Sequence, residues 1–288
     1  MKYAIIGFGE AGAAICADWP VEALAATKGY DLKSADPANG MTARYADAGV
    51  TEALSAAEAV AQADVIFSLV TADQAPAAAE SAATLNQGAL YLECNSVSPG
   101  VKRQNAEIIE AAGGRFVDVA VMAPVHPAKT RVPLLLSGPH MNAAAEALTA
   151  LGMNADVLEG ELGRASAVKM VRSVMIKGLE AVAAECALAG VEAGVDDLVI
   201  PTLEETFPGF GWENRIAFKL ERMMTHGRRR AAEMVEVAKT VEELGLPSRM
   251  SASSVDWHSE IGELGLKAES DDYRVLAAQI LDAMKSTD

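Results

Sequence analysis

The sequence predicts an α/β domain built on a doubly wound, mostly parallel sheet, followed by an all-α domain. Three observations carry this. Residues 1–162 alternate short β-rich apolar runs with alanine-rich helical stretches, the pattern of βα units. From Gly163 to residue 288 only helical periodicity remains, beginning with a long linking helix over about 163–192. A glycine-rich turn joins the first strand pattern to the first helical run.

In the first domain the expected strands are Tyr3–Ile6, Ala25–Asp31, Val65–Val70, Ala89–Glu93, Arg115–Val119 and Leu134–Ser137. In the second the expected helices are Ala165–Gly190, Asp196–Phe207, Trp212–His226, Arg229–Leu244, Ser248–Leu264 and Asp272–Lys285. The chain of 288 residues is 51% hydrophobic, enough for two cores of ordinary size.

Charge and composition exclude several classes. A net charge of −16 repels a phosphate backbone, so neither nucleic acid nor an anionic membrane is an expected partner. No run approaches the eighteen or so apolar residues of a membrane span. The start at Met1 leads straight into a strand pattern, so a cytoplasmic location is expected. Cys16, Cys94 and Cys186 are odd in number and widely spaced, which predicts free thiols and no metal site.

The turn Gly7-Phe8-Gly9-Glu10-Ala11-Gly12 follows Tyr3–Ile6 and opens a helical run, which is the context that makes GxGxxG a dinucleotide fingerprint. Gly7 turns the chain, Gly9 lets a pyrophosphate approach the backbone, and Gly12 allows helix and strand to pack closely. This is the signature of a Rossmann domain. Asp31, nineteen residues beyond Gly12, is spaced to hydrogen-bond the adenosine ribose, which favours NAD; Lys33 and Arg44 offer a cation to the extra phosphate of NADP. Leu69 and Val70 end one expected strand, and Asn95 and Ser96 follow another, where ligands of doubly wound sheets bind. Ordinary turn chemistry accounts for those polar residues as well.

In the linking helix, steps of about 100° bring Ser166, Arg172, Ser173, Ile176, Lys177 and Glu180 within roughly 80° of Lys169. Val171, Val174, Met175, Gly178 and Val182 take the other side. The polar stripe either faces solvent or faces a cofactor cleft; in the second case a partly desolvated Lys169 near other cations can relay a proton.

GxGxxG, the loop before Pro99, the run Phe116-Val-Asp118-Val-Ala-Val-Met-Ala-Pro124, and a glycine followed six residues on by Lys169 together resemble the β-hydroxyacid dehydrogenase family, over nearly the whole chain. That family includes hydroxyisobutyrate and phosphogluconate dehydrogenases. The later His226-Gly-Arg-Arg-Arg-Ala-Ala-Glu-Met looks like a less characterised branch. The resemblance implies an α-helical domain that forms a homodimer. It also implies an NAD(P)-dependent oxidoreductase that interconverts a β-hydroxy acid, or a related small anionic alcohol, and its carbonyl. Lys169 would be the general acid/base.

Two departures bear on the substrate. Where the family has a Ser-Gly-Gly loop, Met122-Ala123-Pro124 stands, and three residues after the lysine Arg172 replaces an asparagine or histidine. A guanidinium can hold a carboxylate in two-pronged fashion, so anion recognition is expected to move from the loop to the helix, with Arg172, Ser173, Lys177, His226 and Ser96 around the substrate. A structural account, in which Met122 packs and Arg172 pairs with Glu180 or another acid, stays open. The run Arg228-Arg229-Arg230 reads as a salt-bridged helix face or as an anion-binding edge. Two other functions fit the same scaffold. An imine reductase usually lacks the lysine, and a non-catalytic NAD(H) sensor would bind the dinucleotide without turnover.

Overall fold

The computed structural model describes residues 1–286, and the chain divides after Met170 into two compact units. In chain order the first unit holds β1 (Tyr3–Ile6), α1 (Glu10–Ile15), α2 (Val21–Ala25), β2 (Thr27–Tyr30), α3 (Met41–Ala48), β3 (Thr51–Glu52), α4 (Ala56–Val60), β4 (Val65–Ser68), α5 (Ala75–Ser81), β5 (Leu90–Glu93), α6 (Pro99–Ala111), β6 (Arg115–Val121), β7 (Leu134–Ser137), α7 (Met141–Ala150) and β8 (Ala155–Val157).

The eight strands form one sheet in the order β3-β2-β1-β4-β5-β6-β7-β8. Every pairing is parallel except β6 against β7. β1, β4 and β5 are buried along their whole length, as continuous apolar runs covered on both faces must be. One face carries a core around Ile5, Phe67, Leu92 and Val119, the other a core of small side chains with Ile66, Tyr91, Ile109 and Phe116. The alanines fit the second face because their helices lie close against the sheet. The chain order reverses between β1 and β4, and Ile6 stands opposite both Tyr30 and Ser68. The ends of β1, β2 and β4 are therefore level, and the loops leaving them share one edge.

β3 and β8 were not among the expected strands. With two and three residues they are too short to show an alternation in sequence.

α8 (Arg164–Ala193) begins in the first unit, and α9 (Asp196–Thr206), α10 (Trp212–Glu243), α11 (Arg249–Glu263) and α12 (Tyr273–Lys285) follow. Their core includes Ala184, Leu188, Ile216, Leu220, Met223, Ile261, Leu276 and Ile280. The sequence predicted two helices where the single α10 runs for 32 residues. Gly227 is not a break. A Cβ there would lie 2.6 Å from Gly262 Cα and 2.5 Å from the His258 carbonyl oxygen, so the glycine serves close packing of α10 on α11.

Candidate active site

The glycine turn has the shape a pyrophosphate needs. Gly7 has φ +86, and a Cβ would stand 2.4 Å from the Leu69 carbonyl oxygen and 2.9 Å from Val70 Cγ1. That contact fixes the turn against the end of β4. A Cβ at Gly12 would meet the Gly7 carbonyl oxygen at 2.6 Å, so α1 lies directly on the turn. Gly9 differs from both. Its φ of −74 suits any residue, and a Cβ would have only Asp31 Oδ2 nearby, at 3.9 Å. Gly9 is the N-cap of α1 and no side chain caps it, so the first amides of Glu10, Ala11 and Gly12 are left to a ligand. The residues present fit a dinucleotide phosphate.

Asp31 follows β2 beside Gly9, and its Oδ1 accepts the Lys33 amide at 2.9 Å. Lys33 is exposed, and Arg44, on α3, buries its Nε without a hydrogen-bond partner among the described residues. Phe8 turns inward: it is fully buried and stacks on Tyr45 at 4.7 Å, and its amide donates to the Tyr30 carbonyl at 3.3 Å. Asn95 is buried and ties two strand ends together, its Oδ1 accepting the Val70 amide at 2.7 Å and its Nδ2 donating to Ser68 Oγ at 3.0 Å. Ser96 beside it is half-buried.

A buried ionic cluster, which the sequence did not reveal, lies below this edge. Lys102, on α6, is fully buried with its Nζ 3.2 Å from Asp118 Oδ1 and 3.4 Å from Glu93 Oε2, and it donates to the Glu93 carbonyl at 2.5 Å. Burial pulls the ammonium toward neutrality, but the two carboxylates outweigh it and hold Lys102 protonated above the ordinary lysine range. Burial raises the Glu93 carboxyl, and Lys102 offsets this in part.

Asp118 does a second thing. Its Oδ2 accepts the Ser137 hydroxyl and the Ser166 amide, both at 2.9 Å, and its Oδ1 accepts the Ser166 hydroxyl at 2.5 Å. Ser137 Oγ also accepts the Ala165 amide at 3.0 Å. The orphan amides at the start of α8 are thereby satisfied by side chains of β6 and β7. Lys169 follows Ser166 by one turn and is half-buried. Burial pushes the Cys94 thiol, at the carboxyl end of β5, up to about 12, an effect that Lys102 and, less, Lys169 partly offset.

Farther along α8 part of the polar stripe is buried, while Arg172 and Ile176 of the same stripe are exposed. Ser173, Lys177 and Glu180 are buried, whereas Val171, Met175 and Val182 are 51%, 62% and 50% exposed. Lys177 pairs with Glu233 at 2.8 Å. Glu180 receives Arg230 in two-pronged fashion, so it is not the partner of Arg172. Arg172 is exposed and forms no ion pair among the described residues. His226 is half-buried on α10, and Arg229 pairs with Glu233 at 3.0 Å. Met122 donates its amide to the Pro133 carbonyl at 2.9 Å, with its side chain half-buried. The aromatic turn before α10 is closed by Glu204, whose carboxylate accepts the amides of Gly209, Gly211 and Trp212. Among the described residues no group of three or more His, Cys, Asp or Glu side chains could hold a metal ion, and no helix is long and apolar enough to cross a membrane.

Residues 2–160 match the family model described as the NAD binding domain of 6-phosphogluconate dehydrogenase, and residues 191–261 match a domain of unknown function, DUF1932. The chain belongs to the β-hydroxyacid dehydrogenase family, with a nicotinamide-binding Rossmann domain. Its solved relatives include a conserved hypothetical protein from Sinorhizobium meliloti, 37% identical, covering 98% of this chain and 96% of that one with a TM-score of 0.77. An uncharacterized 28.5 kDa protein of Methanothermus fervidus is 27% identical over 84% of this chain and 91% of its own length. The fold is shared with 3-hydroxyisobutyrate dehydrogenase of Mycobacterium tuberculosis, 16% identical, with a TM-score of 0.72 over 97% of this chain and 98% of that one.

Proposed function

We propose that this protein is an NAD(P)-dependent oxidoreductase that interconverts a β-hydroxy acid, or a related small anionic alcohol, with its carbonyl compound. The observation that carries the reading is the anchoring of α8. Asp118 and Ser137 hold its first turn to the sheet, which supports a role for Lys169, the next turn of the helix, in the same unit as the glycine turn.

The bound nicotinamide supplies the acceptor or donor of hydride. Lys169 takes the hydroxyl proton in oxidation and returns it in reduction, a role worth on the order of 10²–10⁴ in rate. Arg172, three residues after Lys169 on α8 and without an ion-pair partner among the described residues, holds the anionic end of the substrate. Lys177 keeps a supporting part, because its charge is already matched by Glu233. Asp31 beside Gly9 favours NAD, while Arg44, whose Nε has no hydrogen-bond partner among the described residues, leaves NADP open. The exposed row Val171, Met175 and Val182 is the surface through which two copies pair.

The test is Lys169→Ala assayed on an identified substrate from a panel followed at the NADH absorbance. Dinucleotide affinity should stay within about twofold while turnover falls at least about a hundredfold. Unchanged turnover overturns the reading.

A further inference from the structure

α10 carries a row of basic side chains that the ion pairs among the described residues leave out. Steps of about 100° put Lys219, Arg222 and His226 within roughly 60° of one another on one face of the helix. All three are half-buried, and among the described residues none has a hydrogen bond or an ion pair to the protein. Their neighbours are engaged. Arg215 donates to the Phe210 carbonyl at 2.5 Å, Arg229 pairs with Glu233, Arg230 takes Glu180 with two donors, and Lys239 reaches Glu236 at 2.5 Å. Glu221, the carboxylate nearest in sequence, accepts the Thr225 hydroxyl at 3.0 Å.

This arrangement is costly in a chain with 40 acidic residues against 24 lysines and arginines. Like charges three residues apart on a helix, as Lys219 and Arg222 are, repel, and partial burial strips basic side chains of water. Burial first, and then the neighbouring arginines, lower the ionisation of Arg222 and His226, with Glu221 acting against both; burial does the same for Lys219, with Glu180 acting against it. A solvated face would extend such side chains into water, and a structural face would supply them with carboxylates.

We propose that Lys219, Arg222 and His226 form a binding site for a multivalent oxyanion, a phosphoryl or polycarboxylate group. Arg222, in the middle, supplies a planar fork for two oxygens. Lys219 and His226 flank it along about 10 Å of helix, a span that suits two linked anionic groups better than one isolated carboxylate. The sequence had directed attention to Arg228-Arg229-Arg230. In that run Arg228 and Arg229 are exposed, and Arg229 and Arg230 pair with glutamates, which fits the salt-bridged helix face among its two readings. The site does not depend on the hydroxyl chemistry proposed above.

The test is calorimetric titration of the full chain, saturated with NAD(P)⁺ so that its phosphate cradle is filled, at constant ionic strength. Pyrophosphate is the phosphoryl probe and citrate the polycarboxylate probe. At least one should bind saturably with one site per chain, and the stronger names the class. Arg222→Gln should weaken that binding tenfold or more, Lys219→Gln and His226→Gln severalfold each. Arg228→Gln, which removes an exposed arginine from the opposite side of α10, should leave it unchanged. Circular dichroism identifies any variant that fails to fold, and the remaining two decide. The proposal is overturned if neither probe saturates, or if Arg228→Gln weakens binding as much as Arg222→Gln. It is also overturned if the three variants instead split an oligomer in light scattering, which would assign the row to carboxylates of a second copy.

Discussion

The carboxylate of Asp118 accepts both the backbone amide and the hydroxyl of Ser166, joining the middle of the sheet to the first turn of α8. The same carboxylate lies 3.2 Å from the buried ammonium of Lys102. Asp118→Ala therefore leaves a buried cation short of a partner and frees the start of the helix that carries Lys169. Loss of one member of a buried ion pair costs about 3–5 kcal/mol. Urea denaturation should show a loss of that order, and a loss below about 1 kcal/mol would contradict the clamp. Ser166→Ala is milder, about 1–2 kcal/mol, because Ser137 still binds the Ala165 amide.

Gly9 and Gly12 separate cofactor binding from folding. A methyl at Gly12 meets the Gly7 carbonyl at 2.6 Å and Ile5 Cγ2 at 3.3 Å, so Gly12→Ala should lose both dinucleotide affinity and about 1–3 kcal/mol of stability. At Gly9 the added methyl touches no protein atom closer than 3.9 Å and the backbone is unstrained. Gly9→Ala should melt within about 2 °C of the parent and yet bind NADH at least tenfold more weakly in a fluorescence titration. Parental affinity in Gly9→Ala would show that the phosphate does not approach the backbone there.

This turn was legible in the sequence because its meaning is local: a strand, three glycines at fixed spacing and a helix are contiguous. The same holds for β1 and β7, whose limits the apolar runs define. The ionic cluster was hidden because Glu93, Lys102 and Asp118 belong to three different elements, and a charged residue in a helix ordinarily points to water. A signal did exist. Lys102 lies on the stripe Pro99, Lys102, Asn105, Ala106 and Ile109 that α6 buries, so its position already called for a buried counter-charge. The continuity of α10 was hidden for the opposite reason. A glycine inside a helical pattern reads as a break until its neighbour Gly262, 35 residues later, is in view. The partial burial of the polar side of α8 is likewise a tertiary fact, set by Arg230 and Glu233 on another helix.

The exposed apolar row of α8 makes a prediction about assembly. Val171, Met175 and Val182 follow one another at helical spacing, and Val168 extends the row at 42% exposure. If copies pair here, Met175→Glu inserts a charge into the centre of the contact. Light scattering on the variant should show dissociation at micromolar concentration with the helical content retained. A Met175→Glu protein of parental mass would remove this face from the interface.

His258 gives the fold a pH dependence whose sign is fixed. The ring is fully buried, its Nε2 is 3.4 Å from the Lys177 carbonyl and 3.7 Å from Glu180, and its Nδ1 has no partner among the described residues. Burial, then Arg230, depress its pKa from 6.5 to about 4; the hydrogen bond to the Lys177 carbonyl opposes this, the Lys177 charge adds to it, and Glu233 acts against it. Between those values the unfolded chain holds a proton that the folded chain refuses. The neutral ring therefore contributes stability that is complete above pH 6.5 and is lost as pH falls toward about 4, at most about 3 kcal/mol from a shift of this size. His258→Gln cannot take up the proton and keeps a donor for the Lys177 carbonyl. Measured by urea denaturation at intervals from pH 7.5 to 4.5, the parent should lose stability more steeply than the variant, and the gap should open only below pH 6.5. Parallel curves across that window would mean that the folded histidine titrates normally.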